Sequence, residues 1–534
     1  MDHQVDSSRK TWLWISLAAS FLIYLPQIFW SFGHDQNVFA AIGSLTLQGF
    51  TPYSELWDVK PPNIFYVYGL AQQIFGRSEI SIRILDLIST IVSAWLVFRL
   101  IDHTLRGVSD ERWVRWACAA GAILWSATNL SLGLADTAQT ESFSQPFLLG
   151  AFVLRTKPER TQRSLFTAGI LLSIAAFFKL TNIAFLPALI LLEFIPQRKD
   201  DRAKFKANLR CILVMCFGFV LGVAIQLLVL LAQGAMSDFL RMMLNVIRYH
   251  AEPGSIGVGD VLRTFWIYLD LFGLLAIAGA ALYAARGEKI GLTRRLIPLI
   301  LLLITGAAIV LSQGKGWGYH YVVLLPALLP LTAILFGYIA ARISELSSPI
   351  LRIAGLIAIF IAPLMLGPSG HRRVRYAQSS WRSITDHDGY LATLGNLGSV
   401  YEPSCTEVLA DRIAEESYAR ERIFILGHEP GAYWKSDRRP ASRFVYTLLL
   451  SSPVIRDIDV ETLQEEVLQR KPRLIVVQMY DTLNFSGRPV TSQDLLATDQ
   501  FIPLRKEIET HYDLTDTVCT KFLLYKRRGK SPET

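Results

Sequence analysis

The segment Ser31–Phe75 decides the fold; it reads SFGHDQNVFAAIGSLTLQGFTPYSELWDVKPPNIFYVYGLAQQIF. It follows the first long apolar run, Trp12–Trp30, and places the acid Asp35 just past the end of that run. A turn at Gly49 comes next, and then the cluster WDVKPP, in which Lys60 precedes two prolines. Charged side chains are costly to keep beside a bilayer and often have a function there, so this segment is the first candidate for chemistry.

The composition is that of a membrane protein. The 534 residues are 51% hydrophobic and only 18% charged, and the mean hydropathy is +0.34. Runs of about 20 mostly apolar residues can cross a bilayer as helices. We therefore predict a mainly α, polytopic membrane protein with about eleven transmembrane helices, the first of them retained. The eleven predicted spans are Trp12–Trp30, Ile80–Ile101, Val114–Leu134, Glu141–Leu154, Leu165–Phe178, Thr181–Phe194, Cys211–Ala232, Val261–Ala284, Leu296–Leu311, Tyr319–Ala341 and Ile350–Leu366.

The basic residues between the spans predict the orientation. Lysine and arginine are crowded in every second loop and scarce in the alternate loops, and crowded loops are typically cytoplasmic. An odd number of spans places the two termini on opposite sides. We therefore expect a multi-pass protein of the plasma (inner) membrane with a cytoplasmic N-terminus, an extracytoplasmic first loop (residues 31–76) and an extracytoplasmic C-terminus. Because topology accounts for the net charge of +8, we expect no nucleic-acid partner.

The chain changes character at residue 368. Strand-like runs at Ile423–Leu426, Leu474–Gln478 and Phe522–Tyr525 alternate with helical segments. This alternation predicts a soluble α/β domain with mixed strand order. We therefore divide the chain into a transmembrane domain, residues 1–367, and an extracytoplasmic domain, residues 368–534.

Two features of the tail stay open at this stage. Cys405 and Cys519 could pair if the domain faces an oxidising compartment. The segment Gly427–Gly431 follows a strand and is interpreted only as a turn. No cysteine spacing resembles a zinc site, and the tail has no glycine-rich nucleotide-binding motif, so we predict no metal and no cofactor.

Asp35 and Lys60 are the main candidates for chemistry in the first loop. Asp35 either caps the helix predicted at Asn37–Leu47 or acts as a general base that takes a proton from a hydroxyl. Lys60 is biased toward an extended backbone by the proline after it. It either snorkels to the membrane surface or neutralises a phosphate, and the run Asn63–Phe75 predicts a helix lying in the interface.

Other candidates lie in loops assigned to the same side. Asp136 and Glu141 bracket the segment ADTAQTE; they either cap a helix or assist Asp35 as base and sugar-hydroxyl ligand. Lys179 interrupts an apolar stretch and either snorkels or meets a phosphate. The remaining candidates for phosphate or sugar binding, each with a purely structural alternative, are Arg241 and Arg248 on an amphipathic helix and Lys315, Tyr319 and His320 in a glycine-rich loop.

The ordered set of motifs resembles a known family. The blocks HDQNVFAAIG and GFTPYSELWDVKPPNIFYVYGLAQQIFG, then Arg83, the segment ADTAQTES and the loop KGWGYH resemble bacterial polyprenyl-phosphate-sugar glycosyltransferases of the GT-C superfamily. Within it, the chain is similar to protein O-mannosyltransferases and to lipid A aminoarabinose transferases. The resemblance covers the membrane part, Thr11–Leu366.

This resemblance implies an integral-membrane, inverting hexosyl- or pentosyltransferase. It would move a sugar from a polyprenyl-phosphate carrier to a hydroxyl of a lipid, glycan or protein on the extracytoplasmic face. Asp35 would be the base and Lys60 the contact to the lipid phosphate.

The sequence also departs from the family. Many relatives carry Asp-Glu where this chain has Asp35-Gln36. Val59 replaces the glutamate that precedes the lysine in aminoarabinose transferases, with Asp58 one residue further back, so a bound metal is not carried over. Two alternatives remain: a glycolipid transporter or flippase, which would show ionisable groups near the midplane and repeated halves, and a non-catalytic glycolipid-binding scaffold, which Gln36 favours.

Overall fold

The protein consists of two compact units. The computed structural model describes residues 2–194, 201–251, 257–269, 272–287, 293–314, 316–365, 368–395, 402–419, 421–447, 457–479 and 491–529. The helical unit comprises Met1–Trp30, Arg83–Gln226 and Ser255–Trp381. The sheet unit comprises Ser31–Ile82, Leu227–Gly254 and Arg382–Thr534. The boundary predicted at residue 367 stays a prediction.

The helical unit is built from apolar helices joined by short turns. In chain order its helices are α1 (Asp2–Tyr24), α4 (Glu79–Thr104), α5 (Glu111–Leu132), α6 (Thr140–Thr156), α7 (Gln162–Phe178), α8 (Phe185–Leu191), α9 (Asp201–Ala232), α11 (Val258–Leu269), α12 (Phe272–Gly287), α13 (Ile297–Gln313), α14 (Leu325–Ile343), α15 (Pro349–Met365) and α16 (Pro368–Thr385). One end of each of α4, α9 and α16 belongs to the sheet unit. Short 3₁₀ turns flank several of them, at Leu25–Phe29, Leu180–Ala184, Thr293–Leu296 and Gly318–Leu324.

A helix, or two consecutive helices, lies at each of the eleven predicted spans. Among the described residues, five helices are long and apolar enough to cross a membrane, and a bent pair formed by Val258–Ile267 and Phe272–Arg286 would make six. The five are Ser8–Phe29, Glu79–Thr104, Ala207–Ala232, Arg294–Gln313 and Gly318–Ile343. The mainly helical class is thus confirmed, and the count of eleven spans stays a prediction.

Small residues allow the central helices to pack closely. Helices α5 and α14 share one large buried apolar cluster with their neighbours. At Gly337 on α14, a Cβ atom would lie 2.3 Å from the backbone nitrogen of Ala117 on α5. No side chain fits at that distance, so the glycine sets the separation of the two helices.

The sheet unit contains the remaining helices and all the described strands. Its helices are α2 (His34–Leu47), α3 (Asn63–Phe75), α10 (Met236–Ala251), α17 (His387–Gly395), α18 (Pro403–Glu416), α19 (Pro430–Ser436), α20 (Asp457–Arg470), α21 (Ser492–Ala497) and α22 (Ile502–His511). Its strands are β1 (Arg422–Leu426), β2 (Arg439–Pro440), β3 (Leu474–Gln478), β4 (Tyr512–Val518) and β5 (Phe522–Arg527).

The strands form one mixed sheet in the order β2-β1-β3-β5-β4. Strand β1 pairs in parallel with β2 and with β3, whereas β5 runs antiparallel to both β3 and β4. The apolar strands β1 and β3 lie in the centre and are almost fully buried, as expected for strands covered on both faces. All three strand-like runs predicted from the sequence lie within β1, β3 and β5.

The packing of α19 on α2 brings the turn after β1 to the start of α2. A Cβ atom at Gly431 would lie 2.6 Å from Oδ1 of Asn37, so only glycine permits this approach. Helix α2 begins earlier than predicted, at His34, and its N-cap residue is Gly33, not Asp35. The side chain of Gln36 accepts a hydrogen bond from the Gly33 backbone N–H at 3.1 Å. Asp35 therefore lies in the first turn, where its negative charge still suits the helix dipole.

Candidate functional site

Asp35 and Lys60 lie next to each other in the sheet unit. The Lys60 Nζ atom is 3.9 Å from Oδ2 of Asp35, and the two side chains are 23% and 30% exposed. This distance exceeds that of a hydrogen bond. A partly exposed pair at this distance contributes about 0–1 kcal/mol, so a substrate could separate the two charges at little cost.

The backbone of Lys60 is held from both sides. Its N–H donates to Oδ1 of Asp58 at 2.7 Å, and its carbonyl accepts from the Tyr53 hydroxyl at 2.8 Å. The first bond closes a side-chain turn of the type that aspartate forms with the residue two positions on. The start of the lysine side chain is therefore fixed, while its ammonium group stays partly exposed.

Asp58 is a buried carboxylate at the centre of this arrangement. Its Oδ2 accepts from the Tyr446 hydroxyl at 2.9 Å, across 388 residues of chain. Burial raises the pKa of Asp58 to about 6, although the N–H and the charge of Lys60 and the Tyr446 hydroxyl act in the opposite direction. Asp58 thus links the first loop to the C-terminal part of the same unit.

Two histidines stack beside this group. The rings of His34 and His428 are 4.4 Å apart and tilted by only 20°, and the His428 ring meets Tyr446 edge-on at 5.2 Å. Burial lowers the pKa of His428 to about 4. The pKa of His34 is lowered well below its usual value by burial and by the charge that His428 would carry. Both rings are therefore neutral at pH 7.

A second polar group lies in the helical unit. Lys179 forms an ion pair with Glu141, whose Oε2 accepts from the Thr140 hydroxyl at 2.6 Å. The Lys179 Nζ atom lies 5.9 Å from the centre of the Tyr319 ring, and the rings of Tyr319 and His320 meet edge-on at 4.6 Å. Four residues predicted as site residues from three separate loops are thus close together, with Lys179 paired to a carboxylate.

Arg83 organises the loop that precedes Glu141. Its guanidinium is fully buried and donates to the Thr137 hydroxyl at 2.9 Å and to the Leu134 carbonyl at 3.2 Å. Its Nε donates to the Trp30 carbonyl at 3.2 Å. Asp136 lies in this clamped loop and is partly exposed. As predicted, a helix begins directly after the loop, at Thr140.

Of the remaining predicted site residues, the structure fully describes only Arg241. Arg241 lies on α10 and is 3.5 Å from both Asp238 and Asp459, which fits the structural alternative better than a phosphate contact. The side chain of Arg248 and the whole of Lys315 lie outside the described residues. Within the described part of the chain, no group of three or more His, Cys, Asp or Glu residues could hold a metal ion.

Sequence reasoning missed several members of the site. Tyr446, His428 and His34 received no role, and the segment around His428 was interpreted as a bare turn. Asp58 was noted only as a departure from a family pattern. A buried polar network assembled across almost 400 residues leaves no local signal, although the Asp58-x-Lys60 spacing is that of a side-chain turn.

Comparisons with known proteins agree with this architecture. Residues 59–225 match the family described as dolichyl-phosphate-mannose-protein mannosyltransferase. ArnT from Cupriavidus metallidurans, solved with undecaprenyl phosphate, superposes with a TM-score of 0.55 at 13% identity, over 96% of this chain and 97% of its own. The predicted resemblance to the GT-C glycosyltransferases is confirmed.

A second GT-C structure extends the comparison. The Archaeoglobus fulgidus oligosaccharyltransferase, solved with a tethered acceptor peptide, gives a TM-score of 0.56 at 12% identity and covers 98% of this chain and 74% of its own. The archaeal oligosaccharyltransferase AglB from Archaeoglobus fulgidus, solved with an inhibitory peptide and a dolichol-phosphate, gives a TM-score of 0.54 at 13% identity, over 97% of this chain and 74% of its own. No curated protein matches this chain in sequence. At these identities the structural likeness establishes the GT-C fold.

Proposed function

We propose that the protein is an integral-membrane glycosyltransferase that moves a sugar from a polyprenyl-phosphate carrier to an acceptor hydroxyl. The observation that carries the proposal is the 3.9 Å separation of the Asp35 carboxylate and the Lys60 ammonium. A proton acceptor beside a cation is what attack by a hydroxyl on a phosphate-linked sugar requires. The GT-C fold and the match to mannosyltransferases over residues 59–225 support the same chemistry.

Lys60 serves the donor in this proposal. When the bond between the anomeric carbon and the phosphate oxygen breaks, the leaving lipid phosphate gains negative charge. A cation fixed nearby stabilises that transition state more than the ground state, and so raises the rate as well as affinity. The hydrogen bond that the Lys60 N–H donates to Asp58 and the one that its carbonyl accepts from Tyr53 hold the lysine backbone in place before the donor arrives.

Asp35 serves the acceptor. Its carboxylate takes the proton from the acceptor hydroxyl while the hydroxyl oxygen attacks the anomeric carbon from the side opposite the phosphate. One bond forms as the other breaks, so the configuration at that carbon inverts. The acceptor is a lipid, glycan or protein hydroxyl at the extracytoplasmic surface of the plasma membrane, and the sugar is a hexose or pentose.

The proposal is tested by complementation of a deletion strain with variants of the two residues. Mass spectrometry of envelope glycans and glycolipids first identifies the sugar that the deletion strain lacks. Asp35→Asn should then reduce its transfer at least about 100-fold, because general base catalysis contributes roughly 10² to 10⁴ in rate. Glu55→Gln is the matched control: it lies in the same loop, is exposed, and its side chain only accepts the Thr51 N–H at 2.8 Å.

The donor role is measured separately, with undecaprenyl phosphate as the probe. Lys60→Ala should weaken its binding in native mass spectrometry and raise the donor KM, whereas removal of the exposed lysine on α22, Lys506→Ala, should change neither. Normal sugar transfer by Asp35→Asn would refute the catalytic assignment. If the wild-type protein and a well-folded Asp35→Asn variant both bind the donor and neither transfers sugar, the protein is a scaffold instead.

A further inference from the structure

Two cysteines of the sheet unit lie together although the chain between them is more than a hundred residues long. Cys405 is on α18 and buried, and its side chain interacts with that of Cys519, in the turn between β4 and β5. Cys519 packs against the same apolar cluster that contains Cys405. The two sulfur atoms are therefore already neighbours in the folded protein.

The contact is held in register along the whole length of α18. Charged side chains of α18, and of the residue before it, pair with the β4–β5 hairpin near the start, the middle and the end of the helix. The pairs are Glu402–Lys521, Arg412–Asp516 at 2.8 Å, and Glu416–Lys526. Sliding of the hairpin past the helix would break all three, so the cysteines meet in one fixed arrangement.

The backbone at Cys519 is unusual. Cys519 and Thr520 have φ angles of +49° and +53°, and the Lys521 N–H donates to the Val518 carbonyl at 3.0 Å. This is the tight hairpin turn in which both central residues are left-handed, which normally selects asparagine and glycine. A cysteine followed by a β-branched residue is a strained choice there. Such outliers often mark a functional constraint.

We propose that Cys405 and Cys519 form a disulfide that fastens the β4–β5 hairpin to the start of α18. The inference rests on the extracytoplasmic placement of this part of the chain in the proposed function, because disulfides persist in oxidising compartments. The oxidant is a disulfide-bonded thiol oxidoreductase of that compartment. Cys519, which is partly exposed, attacks the disulfide of the oxidoreductase and forms a mixed disulfide. Cys405 then attacks the Cys519 sulfur and releases the reduced dithiol.

The test is a count of free thiols in the full-length protein. Cells are quenched in acid, and the denatured protein is treated with a polyethylene-glycol maleimide with or without prior reduction. Of the five cysteines, we expect three to react without reduction and five after it. Cys405→Ser and Cys519→Ser should each show four reactive thiols in both conditions. The control Cys216→Ser, in α9, should show two without reduction and four after it.

Five reactive thiols in the unreduced wild-type protein would overturn the proposal. Oxidation of the purified reduced protein with diamide then tells why. Rapid loss of two thiols there would mean that the geometry is right and the compartment wrong, whereas no loss would mean that the geometry itself is wrong. Neither result depends on sugar transfer, which the Asp35 variant tests. Reduction of the bridged protein should lower its apparent melting temperature by about 5 °C or more, since the bridge closes a long loop.

Discussion

At the residue scale, the candidate site depends on how one lysine is held. The backbone of Lys60 is fixed by Asp58 and Tyr53, while its partly exposed ammonium group lies 3.9 Å from the Asp35 carboxylate. Tyr53 has a positive φ of 69° and is almost fully buried. Residues other than glycine rarely adopt this backbone conformation unless the surrounding structure enforces it. We interpret Tyr53 as a positioning residue that acts through Lys60.

Removal of the Tyr53 hydroxyl should therefore affect donor use more than turnover. In Tyr53→Phe the Lys60 carbonyl loses a bond worth about 1 kcal/mol, so we expect the donor KM to rise about fivefold with a smaller change in kcat. The matched control is Tyr66→Phe, which loses one bond from its hydroxyl to Gln233 and does not touch Lys60. Equal effects of the two substitutions on the donor KM would contradict the positioning role.

At the scale of elements, the start of α2 meets the turn between β1 and α19 through the stacked rings of His34 and His428. Both rings are neutral when folded. An unfolded histidine takes up its proton near pH 6.5, whereas folded His428 does so only near pH 4. Keeping His428 neutral therefore contributes fully to the free energy of unfolding above pH 6.5, and this contribution is lost as the pH falls toward 4. The free energy of unfolding falls by about 3 kcal/mol over this range.

His428→Phe keeps a ring in the stack but removes the titrating group. We expect the apparent melting temperature of the purified protein to fall less between pH 6.5 and pH 4 in this variant than in wild type. Some acid sensitivity should remain, because burial alone still lowers the pKa of His34.

Asp58 provides an internal comparison with the opposite sign. Its folded pKa of about 6 lies above its ordinary value of 3.8, so the folded state binds the extra proton and gains relative stability as the pH falls from 6 to 4. Asp58→Asn removes this gain, so the apparent melting temperature of the variant should fall more steeply than that of wild type as the pH drops from 6 to 4. For the histidine prediction, the same dependence of melting temperature on pH in His428→Phe and in wild type would contradict the contribution assigned to His428.

The elements were more predictable than the site. Long apolar runs predicted a helix at every expected span, and short strand-like apolar runs between helical segments located β1, β3 and β5, because buried elements leave a record of apolar residues in the sequence. The two-residue strand β2 and the short helix α19 carry no such record and were missed. Contacts such as Asp58 with Tyr446 depend on the tertiary fold and cannot be read from spacing. Asp35 and Lys60 were predicted in the same loop, residues 31–76, but their 3.9 Å separation depends on how the chain returns after α2.

At the scale of the whole molecule, the membrane topology is constrained because three separate segments of the chain form the sheet unit. Its three chain segments pack into one compact unit. Trp57 N–H donates to the Arg443 carbonyl at 2.8 Å, and the Tyr66 hydroxyl donates to Gln233 at 2.6 Å. Segments that pack together around one sheet lie on one side of a bilayer. The chain between consecutive segments must therefore cross the membrane an even number of times.

The predicted spans meet this condition. Spans two to seven, which are six, separate the first segment from the second, and spans eight to eleven, which are four, separate the second from the third. An error of one span in either interval would place parts of one compact unit on opposite sides. The parity of the sheet unit places its three segments on one side without saying which side that is. The distribution of basic residues, an independent observation, predicts that this side is extracytoplasmic.

Cysteine labelling of intact cells tests this topology directly. In a protein otherwise free of cysteine, Glu55→Cys in the first loop should react with a membrane-impermeant maleimide before the cells are opened. Glu159→Cys lies in a loop rich in basic residues and should react only after permeabilisation; both side chains are exposed, so access depends on the side of the membrane alone. Reaction of Glu159→Cys in intact cells, or protection of Glu55→Cys, would invert the orientation. Asp35 and Lys60 would then face the cytoplasm, and the extracytoplasmic donor reaction and the disulfide would both lose their basis.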